Sequence, residues 1–136
     1  MDFHDSMTIA ASGMRAQTGR MRIIAENLAN ANSTAAGPGE DPYRRQIATF
    51  QSELDSVTGV RVVRMGGTIA DAAEFRSQYN PGHPAADAQG YVKLPNVNAL
   101  IEMMDMREAQ RSYEANLNVI DAARSMMART IDLLRR

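Results

Sequence analysis

Two seven-residue ladders, one at each end of the chain, constrain its fold more than any other feature. Met7, Met14, Met21 and Leu28 recur every seven residues near the start, and Met106, Tyr113, Ile120, Met127 and Leu134 do so near the end. A strict apolar heptad presents a narrow seam that needs a partner helix and supercoils with it. No further helical stretch separates the two ladders, so the simplest partner for each is the other. The expected fold is mainly α, with long N- and C-terminal helices paired as an antiparallel coiled coil and a small β-rich inserted module. Residues 1–32 and 96–136 would form the discontinuous helical domain, and residues 33–95 the loop and module. An elongated body of this kind suits a building block better than a globular catalyst.

The N-terminal helix is expected over residues 3–30, roughly 40 Å at about 1.5 Å per residue. Ala10, Gln17 and Ile24 sit three residues after successive rungs, with Ala11 and Ala25 beside them. Asp2 and Asp5 suit the positive end of the helix dipole. Gly13 would let a neighbouring helix approach closely. Asn27, Asn30 and Asn32 cluster where the helix should stop, because Asn tolerates the left-handed backbone that closes helices. A Ser-, Gly- and Pro-rich loop follows over residues 33–42.

The middle differs in composition, holding all five prolines and every glycine except Gly13 and Gly19. Strands are expected at residues 43–50, 60–65 and 91–94, with Gly66-Gly67 as a tight turn. Residues 68–73 read as either a returning strand or a short helical turn. Tyr79-Asn80-Pro81-Gly82-His83-Pro84 is turn chemistry, with Pro-Gly suited to type II. From Asn96 the helical pattern resumes, capped by Asn96 or Asn98. Glu102, Asp105 and Glu108 load its first turns, and Arg129, Arg135 and Arg136 its last, matching the dipole. This helix, about 38 residues and roughly 57 Å long, outruns its partner, so its unmatched end must protrude or pack on another molecule. The Met-rich ladders fit variable neighbours, because Met adapts to irregular gaps.

Composition removes several classes of function. The 136 residues are the size of one domain or about one and a half, and the net charge of −1 lacks the basic face that nucleic acid requires. Zero cysteines exclude disulfides, thiolate metal sites and Cys nucleophiles. No run approaches the 18 or so apolar residues of a membrane span, and the first residues lack the pattern of a cleaved secretory signal. The two histidines, His4 and His83, lie in different segments, and no phosphate-binding glycine loop occurs. The sequence therefore offers no catalytic, cofactor or metal residues and no small-molecule substrate site.

Specific motifs carry a resemblance. Ala11-Ser12-Gly13-Met14-Arg15-Ala16 followed by Ala25-Glu26-Asn27-Leu28-Ala29-Asn30-Ala31-Asn32 resembles the N-terminal signature of the axial proteins of the bacterial flagellum, the rod, hook and hook-associated proteins. Pro42-Tyr43-Arg44-Arg45, Tyr79 through Asp87, Gly90-Tyr91-Val92 and Pro95-Asn96-Val97-Asn98 narrow the resemblance to the proximal-rod family. So do Glu102 through Met106 and Arg111 through Asn116. The resemblance covers essentially the whole chain. It singles out Ser12, Gly13, Asn27, Asn30, Asn32, Tyr43, Pro81, Gly82, His83, Pro84, Asn96 and Asn98 as motif residues, beside the seam residues and Ile24.

It implies a non-enzymatic structural subunit of the basal-body rod in the periplasmic space, exported by the flagellar type III apparatus without cleavage. Such a subunit would polymerise helically to transmit torque and wall the export channel. Partners implied are copies of itself and other flagellar rod proteins, with the export gate or its adaptor and the MS ring as further candidates. The competing reading is a cytoplasmic coiled-coil adaptor that forms a discrete oligomer.

Overall fold

The computed structural model describes residues 2–135. Its elements in chain order are α1 (Phe3–Ala29), β1 (Gln46–Leu54), β2 (Arg61–Ala70), β3 (Arg76–Tyr79), β4 (Tyr91–Leu94) and α2 (Ala99–Leu134). The protein is mainly α with two small two-stranded sheets, β1–β2 and β3–β4.

Local chemistry sets the helix ends. The Asp2 carboxylate accepts the Phe3 amide at 2.6 Å, while the Asp5 carboxylate accepts the Asp2 amide at 3.0 Å, a reciprocal cap. At the other end of α1, the Asn30 amide donates to both Glu26 and Asn27 carbonyls, and its side chain returns to Glu26 O at 2.9 Å. No non-glycine residue among those described has a positive φ, so α1 closes by tightening its last turn. This corrects the expected left-handed Asn.

Asn98 caps α2, accepting the Leu100 amide at 3.1 Å. Asn96 has a different role, described below. The expected basic end of α2 is also corrected: its last turn carries no basic residue, Asp132 sits there among apolar side chains, and Arg135 follows the helix. Arg136 lies outside the described residues, as does Met1.

The β module departs from expectation at its turns. β2 runs straight through Gly66-Gly67 to Ala70, so residues 68–70 continue the strand instead of returning. The reversal falls earlier, between Asp55 and Val60. There the Asp55 carboxylate accepts the Val57 amide at 2.8 Å and the Thr58 amide at 3.2 Å, and Gly59 takes a left-handed φ of 70°. Those side-chain bonds and the glycine provide what a tight reversal needs, and the Gly66-Gly67 pair lacks such a carboxylate.

The sequence Arg76-Ser77-Gln78-Tyr79 has no apolar alternation, yet it forms β3 by pairing antiparallel with β4, Arg76 opposite Leu94 and Tyr79 opposite Tyr91. The 80–83 turn is closed by the His83 amide on Asn80 O at 3.1 Å. Gly82 is not among the positive-φ glycines, so the type II expectation is corrected, since type II requires φ above zero there.

The chain divides into two compact units, and each long helix contributes to both. One comprises Met1–Met21, Thr49–Gly67 and Arg107–Arg136; the other comprises Arg22–Ala48 and Thr68–Met106. The first unit buries small side chains, Ala10, Ser12, Ala16, Ala109 and Ala123, with Val62. The second buries Ile23, Ile24, Val92, Val97 and two polar residues, Asn27 and Glu102.

Candidate functional site: the helix seam and a buried polar clasp

In the first unit a Cβ added to Gly13 would lie 2.9 Å from Asn116 Nδ2, so the glycine makes room for the Asn116 side chain against α1. About two turns along, Arg20 Nη2 meets Glu108 Oε2 at 3.3 Å. Ser12, also buried, donates its hydroxyl to Ile9 O at 2.6 Å and accepts the Val63 amide at 3.2 Å, which ties α1 to the hairpin.

The ladder residues Met7, Met14, Met21, Leu28, Met106, Tyr113, Ile120 and Met127 are all half-buried; Ile24 is buried and Leu134 is 82% exposed. The deepest positions of α2 belong to a second heptad set offset from the first, Glu102, Ala109 and Ala123, with Asn116 half-buried between them. Sequence reasoning missed this set because its members are small or polar. The signal was present in the spacing, since 102, 106, 109, 113, 116, 120, 123 and 127 alternate by four and three, the step of a packed helix seam. Met14, Tyr113 and Ile120 line an open groove of about 370 Å³ together with Ala11, Arg15 and Thr18.

The second unit holds a polar clasp centred on Asn27. This residue lies inside α1, two residues before its end at Ala29, and is 1% exposed, which corrects its reading as a helix stop. Its Nδ2 donates to Gln46 O at 2.8 Å and Glu102 Oε2 at 3.1 Å, and its Oδ1 accepts the Gln46 amide at 2.9 Å and the Tyr43 hydroxyl at 2.8 Å. Every donor and acceptor of the amide is thereby used. Glu102, fully buried, also accepts Arg45 Nε. Arg45 Nη1 reaches Asp71 at 3.3 Å and Nη2 reaches Asp105 at 3.5 Å. Asn96 accepts the Arg45 amide at 2.8 Å and donates to Asp71 O and Ala73 O. Arg44 donates to the same two carbonyls, and its guanidinium lies 4.2 Å from the Phe75 ring centroid.

Thus Tyr43, Asn96 and Asn27 converge, together with Arg45 and Glu102. Pro81, Gly82, His83 and Pro84 instead shape the turn between β3 and β4, where His83 Nδ1 accepts the Ala85 amide at 3.0 Å. Asn30 ends α1, and Asn32 is exposed.

Electrostatics follow from this wiring. Burial raises the Tyr43 pKa, helped by the charges of Glu26 and Glu102, so its hydroxyl stays a donor. Burial works against the Arg45 charge, but the hydrogen bond and charge of Glu102, then of Asp71, outweigh it and leave the guanidinium pKa raised. The Ala73 amide holds the Asp71 carboxyl below its ordinary value, with Arg45 adding to the effect against a smaller opposing contribution from burial. In the first unit the Val57 and Thr58 amides depress Asp55 likewise.

A carboxyl whose folded pKa is depressed contributes stability above its unfolded pKa of about 3.9 and loses it as pH falls through the folded value. The denaturant midpoint should therefore hold from pH 7 to 5 and fall below about pH 4, and Asp71→Asn should flatten part of that fall. A midpoint that rises on acidification would contradict this.

Among the described residues no three or more His, Asp or Glu are placed to hold a metal ion. No described helix is long and apolar enough to cross a membrane. The arrangement is one of helix packing and cross-linking.

Comparison with known proteins agrees with that character. The model described as "Flagellar basal body rod FlgEFG protein C-terminal" matches residues 88–133, which include all of β4 and nearly all of α2. A flagellar basal-body rod protein FlgC of Agrobacterium fabrum is 57% identical over 127 residues, covering 93% of this chain and 91% of that protein. The protein of the same name from Salmonella typhimurium is 41% identical, covering 92% of each chain. The one from Bacillus subtilis is 35% identical over 96% of this chain and 97% of its own. With likeness of this degree along almost its entire length, the chain belongs to the family of flagellar basal-body rod proteins FlgC.

Proposed function

We infer that this chain is a structural, non-enzymatic subunit of the flagellar basal-body rod, assembling there with other rod proteins. Family membership over nearly the whole chain is the observation that carries this reading, and it favours the rod over a cytoplasmic adaptor.

The finer reading is that α1 and α2 pair as an antiparallel coiled coil. Supporting it, residue 13 lies beside 116 and residue 20 beside 108, so one helix advances as the other retreats. Residues 1–32 and 96–136 would then act as the polymerising shaft, and residues 33–95 as an outer module that sets contacts with neighbours. The ladder residues are the assembly positions in this reading, and their partial exposure supports it, because a half-covered seam keeps apolar surface for further helices. Heterologous contacts that do not close generate a helical tube, which would carry torque and wall the export channel. Export through the flagellar type III apparatus without cleavage, and contacts to the export gate or its adaptor and to the MS ring, belong to the same proposal.

Deleting the gene in the parent bacterium should leave cells non-motile and without a rod. A plasmid copy should restore swimming and appear in purified basal bodies. A deletion strain that swims normally, or a product found only as a discrete cytoplasmic oligomer, would overturn the reading.

A further inference from the structure

In the second unit Arg76 joins the end of α1 to the entry of α2 through one planar group. Its Nη2 donates to Ala31 O at 3.0 Å, and its Nε donates to Pro95 O at 3.2 Å. Ala31 follows the last residue of α1, and Pro95 precedes the first residue of α2. Both residues are buried, so each carbonyl needs a partner.

The charge of Arg76 fits this place. α1 carries no basic residue in its last turn, where a cation offsets the negative end of the helix dipole. Arg76 supplies that cation from another element. Among the described residues it belongs to no ion pair, so its guanidinium serves carbonyls and not a carboxylate. The strand register explains how it arrives. Arg76 stands opposite Leu94, the neighbour of Pro95. β3 is only four residues long and exposed throughout, so its contribution to the junction is this guanidinium.

We propose that Arg76 is the positioning residue of the helix junction: its guanidinium edge holds the end of α1 and the entry of α2 at one spacing, and rod assembly depends on that spacing. The inference rests on the rod-subunit reading and adds to it a residue outside the motif set. The chemistry requires arginine. Nε and Nη2 share one rigid plane at a fixed separation, whereas a lysine ammonium is a point charge on a flexible stem. Lysine therefore keeps the charge at the end of α1 and gives up the spacing. Asn27 and Glu102 tie the same two helices beyond the junction, which keeps the fold in place when Arg76 is changed. Every copy in a polymer meets its neighbours through the same patches, so a spread in this spacing recurs at each contact.

The chain has no cysteine, so a pair of spin labels can report the spacing in the full-length protein. Ala29→Cys and Leu100→Cys, both exposed, put one label on each helix beside the junction. By electron paramagnetic resonance the label-to-label distances should be narrowly distributed with Arg76 present. They should spread roughly twofold wider in Arg76→Lys and in Arg76→Met. Without the label cysteines, Arg76→Lys should keep the circular dichroism of the parent, and its cells should lose most of their swimming. Val62→Ala, a core change in the first unit, isolates the effect of stability alone. It should lower the urea midpoint at least as far as Arg76→Lys does, yet leave the distances narrow and the cells swimming.

Parent-like swimming of Arg76→Lys, distances as narrow as the parent's in both Arg76 variants, or an equal loss of swimming in Val62→Ala would each overturn the inference. The rod-subunit reading would survive those results if the deletion strain were still immotile, so the two failures are distinguishable.

Discussion

Arg45→Ala is expected to destabilise the protein by about 3–5 kcal/mol, the usual cost of stranding a buried charge. Glu102 is 0% exposed, and its carboxylate is held by Arg45 and by Asn27. Without the guanidinium, Asn27 alone faces that carboxylate, while Asp71 and Asp105 lose the cation they share. The folded state must then keep an uncompensated buried charge or protonate it, and either choice costs far more than the loss of an exposed pair.

Urea titration followed by circular dichroism reads the effect as a shift in midpoint at unchanged slope. Glu102→Gln should cost less, since it removes the charge and keeps the hydrogen-bonding shape. The double change Arg45→Leu with Glu102→Leu should recover part of the loss, because well-packed apolar replacements of buried ion pairs are often tolerated. An Arg45→Ala midpoint equal to the parent's would show that Glu102 does not depend on its partner.

The second large effect is on motility. The combined change Met14→Asp and Ile120→Asp should abolish swimming while leaving expression at the parent level. Both side chains are half-buried and line the same groove between the helices. Each change forfeits part of the roughly 1.5–3 kcal/mol that covering an aliphatic side chain contributes. The two new carboxylates also repel one another across a partly dewatered trough. Helix content of the isolated chain should drop measurably by circular dichroism, and the chain should be missing from basal bodies. Swimming at the parent rate would contradict the seam.

The positions that were legible in the sequence are those where periodicity or a cap carries the signal. Met7, Met14 and Met21 announce α1 by spacing alone, and Asn98 announces α2 as a capping residue immediately before a helical run. Where tertiary contacts override local preference, the reading failed. Arg76 through Tyr79 has no strand pattern and is extended because Tyr91 through Leu94 pairs with it. Gly66-Gly67 looks like a turn and is strand, because Asp55 and Gly59 reverse the chain first. Asn27 resembles a helix terminator, yet its amide is consumed by Gln46, Tyr43 and Glu102. A polar residue's role depends on which partners reach it, and those partners lie 16 to 75 residues away in the chain.

By itself the sequence determined two long amphipathic helices, the poverty of catalytic groups and, through its motifs, membership of a rod family. These follow from heptad spacing, composition and residue order, none of which needs a third dimension. The tertiary structure alone decided that Glu102, Ala109 and Ala123 lie deeper than the Met and Ile ladder, and that Arg45 gathers three carboxylates. The physical reason is close approach. Gly13 admits the Asn116 side chain against α1, and the buried positions beside it are small, Ala10, Ser12, Ala16, Ala109 and Ala123, while the Met, Tyr and Ile side chains of the ladder stay half-buried. A polar cluster is tolerated in the second unit because nearly every hydrogen-bonding group in it finds a partner.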